Sequence, residues 1–120
     1  LKALGVHAGD EVITPAFSWI SSSETISLCG ARPVFVDVDA VTYTINPSLI
    51  EKKITSSTKA IIVVHLYGQS AHLEPVIDIC KKYNLYLIED CAQAHLTKYK
   101  QAYVGTFGHA ATFSFYPTKN

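Results

Sequence analysis

The segment KAIIVVHLYGQSAHLEPVIDICKKYNLYLIED, Lys59 to Asp90, decides the fold. Its opening run, KAIIVVH, is apolar on both faces, as a strand buried in the middle of a parallel sheet has to be. Leu73 to Tyr83 then places Val76, Ile77 and Cys80 at helical spacing, and LYLIED returns to a short aliphatic run. A strand, a helix-length crossover and a second strand together predict two parallel strands with a helix packed over them.

The same alternation extends in both directions. EVITPA reads as a strand that Pro15 ends, and Ser18 to Cys29 as a weakly amphipathic helix carrying Ile20, Ile26 and Leu28, stopped by Gly30. RPVFVDVD is a further strand. Asn46 followed by Pro47 gives a helix N-cap with proline at the first helical position, and Leu49, Ile50 and Ile54 predict the buried stripe of a short helix. After LYLIED, Ala94 to Gly108 reads as a loop, and AATFSFYP as a last strand broken by Pro117. The expected fold is α/β, an open and mostly parallel sheet with helices on both faces. Such sheets bind ligands at the carboxyl ends of their strands.

Composition narrows the function. Ten Lys and Arg balance ten Asp and Glu in 120 residues, 48% of them hydrophobic, and no basic run occurs. This excludes a nucleic-acid footprint or a membrane-surface patch and leaves small molecules or protein as partners. The longest apolar runs, such as Ala60 to Val64, fall far short of the roughly 20 residues a spanning helix requires. Cys29, Cys80 and Cys91 are an odd, widely spaced set without a CxxC pair or a signal-peptide pattern, read as reduced, cytoplasmic and mostly buried. LKALG reads as the last turn of a helix with a glycine stop, so the chain is expected to be one partial domain, residues 1–120, truncated at both ends.

Three strand ends carry polar groups that a core does not need: VHLYGQ, IEDCAQAH and FSFYPTKN. Asp90 follows an apolar strand directly, and a carboxylate at that depth calls for a cation or several donors. Lys119 is one candidate cation, and the protonated nitrogen of a pyridine is another. Gln93 offers a donor and an acceptor on the side of Asp90 if the chain turns helical there. Lys119 sits in a turn after Pro117, and a partly desolvated amine near other positive charge has a lowered pKa that frees it to attack a carbonyl. Taken singly, each residue has a plainer reading: Asp90 as a cap for the following helix, Lys119 as a solvated amine, Trp19 as packing and Ser114 as a small filler. His65, His72, His95 and His109 invite a metal reading, but neither CxxC nor HxxxH spacing occurs, and no metal site is expected.

In series, TPAFSWISSSETI, GARPVFVDVD, TKAIIVVHLYGQ, IEDCAQAH, VGTFG and FSFYPTKN resemble the DegT/DnrJ/StrS family of nucleotide-sugar aminotransferases dependent on pyridoxal 5'-phosphate. That family is a branch of the fold-type I enzymes, and the resemblance makes this chain part of their large domain. It implies that Lys119 is the Schiff-base lysine, Asp90 the carboxylate on the pyridine nitrogen and Gln93 the partner of the cofactor's phenolic oxygen. It further implies that Trp19 stacks on the ring and that Ser114 binds the phosphate, together with a Gly-Thr/Ser motif that in the family precedes residue 1. The implied partners are an amino donor, glutamate or glutamine, and a nucleotide-linked keto sugar, in polysaccharide or secondary-metabolite biosynthesis. The family's site is completed by residues beyond the lysine and by the second subunit of a homodimer, so the isolated piece is expected to be inactive. An inactive interaction module that kept the fold, and a sugar dehydratase relative in which histidine replaces the lysine, are the alternatives. Lys119 speaks against the second of these. Leu96 and Thr97 stand where the family often has glycine after the histidine of its QAH segment, and Gln101 stands where a turn glycine is usual.

Overall fold

The computed structural model describes residues 1–119. Its strands are β1 (Glu11–Pro15), β2 (Arg32–Val36), β3 (Thr58–Val64), β4 (Tyr86–Asp90), β5 (Lys98–Tyr99), β6 (Ala102–Tyr103) and β7 (Ala110–Thr112), and its α-helices are α1 (Ser21–Leu28) and α2 (Leu73–Tyr83). The main sheet runs β2-β1-β3-β4-β7, with every neighbouring pair parallel. β5 and β6 form a separate antiparallel hairpin.

The chain steps from β1 to β2 in one direction across the sheet and from β3 to β4 in the other. Right-handed crossovers in opposite directions place their helices on opposite faces, and the packing agrees. Ile26 of α1 lies with Val12, Ala60, Ile62, Val64 and Ile88 in one core, while Leu73, Val76, Ile79 and Cys80 of α2 lie with Ile13, Ile61, Val63 and Leu87 in the other. The alternation of side chains along β3 and β4 thus sorts even-numbered residues to the α1 face and odd-numbered ones to the α2 face. α2 ends at Asn84, whose φ of 53° supplies the left-handed residue that commonly closes a helix.

Several expectations are corrected in detail. α1 begins at Ser21, so Trp19 precedes the helix. Asn46 does cap, its side chain accepting the Ser48 N–H at 3.1 Å, but the segment it caps forms two 3₁₀ turns, Pro47–Leu49 and Glu51–Lys53, in place of an α-helix. Proline at the start and the extended Ile54 at the end leave too few residues there for α-helical bonds to propagate. β2 stops at Val36, and beyond it a single antiparallel bridge joins Val38 to Ile45. The stretch read as a loop contains the β5–β6 hairpin. β7 holds only Ala110–Thr112, because β4 ends at Asp90 and offers nothing further to pair with. The cysteines are mostly buried, as expected, Cys80 and Cys91 fully and Cys29 in part. No helix among the described residues is long and apolar enough to cross a membrane.

Candidate active site

A cleft of about 1030 Å³ lies on the α1 face at the carboxyl ends of β3, β4 and β7, and Trp19, Asp90, Gln93, Ser114 and Lys119 all line it. These residues are scattered from one end of the sequence to the other, and the topology gathers them. Trp19, 73% exposed, comes from the loop before α1, Asp90 ends β4, and Gln93 lies in the turn after it. Ser114 lies just past β7, and a turn closed by the Lys119 N–H on the Tyr116 carbonyl at 2.8 Å brings Lys119 in.

Asp90 is held by neutral donors. Its Oδ1 accepts the Ala92 N–H at 3.0 Å, and its Oδ2 accepts the hydroxyl of Ser22 at 3.4 Å. Ser22 carries no signal of its own in the sequence; it is buried one helical turn before Ile26, with Ser18 Oγ 3.4 Å from its own hydroxyl. Lys119 is the expected protein partner for Asp90, yet among the described residues no ion pair joins Asp90 to any cation. A half-buried carboxylate steadied by two uncharged donors remains able to take a positively charged hydrogen-bond donor from the cleft.

Gln93 reaches the cleft without the helix on which its placement was premised, since residues 91–97 form turns. Its Oε1 accepts the Tyr67 N–H at 3.2 Å. A backbone N–H can only donate, so the amide orientation is set and the Nε2 protons are left to donate elsewhere. Ser114 Oγ accepts the Tyr116 N–H at 3.4 Å, which leaves the hydroxyl proton free to donate. Leu96, at the position where glycine is the expectation, adopts φ 60°, the left-handed conformation glycine tolerates best. In the β5–β6 turn the positive φ falls on Lys100, at 54°, and Gln101 needs none.

The histidines have separate tasks. His109 Nδ1 accepts the Leu87 N–H at 3.0 Å, His72 tilts against Tyr99, and His95 packs against Phe113 and Phe115, both its ring nitrogens buried and without a partner among the described residues. His65, Glu89 and Cys91 do bring ligand-type atoms within 4.8 Å of one another. Their chemistry argues against a metal. The Ala71 N–H donates to His65 Nδ1 at 3.0 Å, so the ring carries its proton on Nε2 and gives it to Glu89 Oε2 at 3.0 Å. Burial, reinforced by the Glu89 and Asp90 carboxylates, pushes the Cys91 thiol up to about 12, far from the thiolate a metal would bind. Glu89 is a second residue that sequence reasoning misses. Burial alone would raise its carboxyl, but the bonds from His65 and from the Gly105, Gly108 and Phe107 amides outweigh it and hold the group below the usual glutamate range.

Relatives of known sequence and structure match the chain along nearly its whole length. A dTDP-3-amino-3,6-dideoxy-alpha-D-galactopyranose transaminase from Aneurinibacillus thermoaerophilus is 56% identical over 115 residues, 96% of this chain and 32% of that protein. A pleiotropic regulatory protein from Geobacillus stearothermophilus is 52% identical over 120 residues, 100% of this chain and 32% of its own length. Among solved structures, an aminotransferase from Psychrobacter cryohalolentis superposes with a TM-score of 0.97 at 44% identity, covering 99% of this chain and 30% of that one. NtdA from Bacillus subtilis with bound cofactor PMP gives 0.91 at 37% identity, covering 99% and 26%. The chain therefore spans about a third of the length of the curated relatives it matches. One family model, that of the DegT/DnrJ/EryC1/StrS aminotransferases, matches residues 1–120 without a break. The sheet, the strand-end cleft and the sequence likeness thus converge, and the chain belongs to the DegT/DnrJ/EryC1/StrS aminotransferase family.

Proposed function

We propose that this chain forms part of the cofactor-binding large domain of an aminotransferase that moves an amino group from glutamate or glutamine to a keto group of a nucleotide-linked sugar. Pyridoxal 5'-phosphate is the cofactor, and polysaccharide or secondary-metabolite assembly is the setting. The observation that carries the reading is the convergence of Trp19, Asp90, Gln93, Ser114 and Lys119 on one cleft.

The donor set suits that cofactor. Asp90, with its two uncharged donors, would hold the pyridine nitrogen in its protonated form. Gln93 would donate an Nε2 proton to the phenolic oxygen, its orientation set by Tyr67. The Trp19 indole would cover one face of the ring, and the Ser114 hydroxyl would donate to the phosphate. When bound, pyridoxal phosphate supplies an electron sink for the carbon that loses a proton. Lys119 would attach the cofactor covalently and, once displaced by the amino donor, accept and return that proton through Nζ. The chain's own contribution is orientation and placed charge.

The transaminase from Aneurinibacillus thermoaerophilus, whose name specifies a dTDP-linked aminosugar, supports the substrate class, and the PMP-bound NtdA structure supports the cofactor. Three free cysteines suit a reducing, cytoplasmic compartment. The homodimer belongs to the same proposal, with a second copy completing the cleft. The experiment is direct: the full-length protein of which this chain forms part, purified with pyridoxal phosphate, is yellow and bleaches on addition of glutamate or glutamine. A protein that stays colourless at saturating cofactor refutes the reading.

A further inference from the structure

β4 carries two adjacent carboxylates on opposite faces of the sheet. Asp90 looks into the cleft, whereas Glu89 is fully buried on the α2 face. All of Glu89's partners are donors. Oε2 accepts His65 Nε2–H at 3.0 Å and the Gly105 N–H at 2.7 Å, and Oε1 accepts the Phe107 N–H at 2.8 Å and the Gly108 N–H at 2.6 Å.

Three of these four donors are backbone groups of the segment that feeds β7. One residue beyond Gly108, the His109 N–H donates to the Leu87 carbonyl at 2.8 Å, and β7 then pairs Ala110 with Ile88, Ala111 with Glu89 and Thr112 with Asp90. The strand itself is three residues of small side chains, Ala110, Ala111 and Thr112, and has no apolar pattern with which to choose a register. Register matters here, because a slip of one residue sends every following side chain to the other face. Ser114 and Lys119 both lie downstream of the strand and inherit its register. A second constraint is steric: a Cβ on Gly108 would sit 2.7 Å from the Leu87 carbonyl oxygen, so only glycine lets the segment approach β4 this closely.

We propose that Glu89 is a positioning residue whose buried carboxylate fixes the register of β7 against β4, and so places Ser114 and Lys119 opposite Asp90. The His65 imidazole completes the clamp. Its Nε2 holds Glu89 while the His65 backbone N–H donates to the Asp90 carbonyl at 3.0 Å. The functional part of this inference rests on the aminotransferase reading above, but the register part does not.

The test uses the full-length protein of which this chain forms part and the variants Glu89→Gln, Gly108→Ala and Asp90→Asn, with two readouts. The first is amide hydrogen exchange over residues 105–112 in cofactor-free protein. The second is the Kd for pyridoxal phosphate from an absorbance titration. Glu89→Gln replaces acceptor capacity with an NH₂ group facing N–H donors, and is expected to speed exchange over 105–112 at least tenfold and raise the Kd at least tenfold, with exchange in β1 and α2 unchanged. Gly108→Ala, which leaves the carboxylate intact, is expected to do the same and decides the matter if Glu89→Gln does not fold. Asp90→Asn is expected to raise the Kd alone. Exchange over 105–112 within twofold of wild type in both Glu89→Gln and Gly108→Ala overturns the proposal. So does faster exchange with an unaltered Kd. Should the wild-type chain take up no cofactor at all, the aminotransferase reading fails by itself and the exchange arm still decides the register claim.

Discussion

Replacing Asp90 by Asn separates the functional reading of the cleft from a structural one, because it spares the fold contacts and removes only the charge that a bound cofactor would need. In the fold, the carboxylate accepts the Ala92 N–H at 3.0 Å and the Ser22 hydroxyl at 3.4 Å. Asparagine keeps an acceptor for the first, and its amide can donate to Ser22, whose hydroxyl rotates to accept. Both fold contacts survive, so the melting temperature of cofactor-free protein is expected to move by no more than about 2 °C, the shift that corresponds to roughly 0.5 kcal/mol in a domain of 150–250 residues. The cofactor loses more. A hydrogen bond between a carboxylate and a protonated ring nitrogen is charge-assisted and contributes about 1.5–3 kcal/mol, which converts to roughly tenfold to a hundredfold in affinity. The assays are a thermal melt and a spectrophotometric titration with pyridoxal phosphate, each on wild type and Asp90→Asn. A variant that binds the cofactor as tightly as wild type would refute the reasoning and return Asp90 to the role of a turn cap for Ala92.

Other perturbations exploit the same geometry. Trp19→Ala removes a side chain that is 73% exposed, so stability should hold while cofactor affinity falls by about twofold to tenfold, the range for one lost aromatic contact of about 0.5–1.5 kcal/mol; titration and melting measured side by side check both halves. Gly105→Ala asks a residue at φ +90° to carry a Cβ that would lie 2.7 Å from Phe113 Cζ, and should destabilise by about 1–2 kcal/mol in a denaturant titration, with Phe113 displaced from the cleft wall. Acid should act through Glu89. Its folded pKa lies below the ordinary 4.5, so the unfolded chain binds the proton first; the stabilisation is fully present above 4.5 and is lost as pH falls through the lowered folded value. Unfolding curves between about pH 5 and pH 2 should show that slope in wild type and a shallower one in Glu89→Gln.

The central strand and helix are legible in the sequence because each has one dominant signal. β3 is built on an unbroken apolar run, Ala60 to Val64, and α2 occupies Leu73–Tyr83 as its periodicity predicts. Elements whose limits depend on a partner are not. β7 stops at Thr112 because β4 stops at Asp90, a fact about pairing that FSFYP does not contain. The hairpin at Lys98–Tyr103 depends on a positive φ at Lys100, a residue type that gives no turn signal. In the site, Asp90 and Lys119 stand out because a charge beside an apolar strand needs an explanation. Glu89 stands next to Asp90 and does not, since strand alternation puts it on the opposite face but only the fold shows that this face is sealed and that four donors from His65 and the 105–108 segment surround it. Ser22 is hidden for a similar reason, as one serine of three in succession, and only the packing of α1 selects it.

The most direct test of the central claim is reduction by borohydride of the full-length protein of which this chain forms part, in the presence of pyridoxal phosphate, with peptide mapping of the product. The account predicts one stable cofactor adduct, on the Nζ of Lys119, absent from Lys119→Ala. An adduct on another lysine, or none at saturating cofactor, would contradict it.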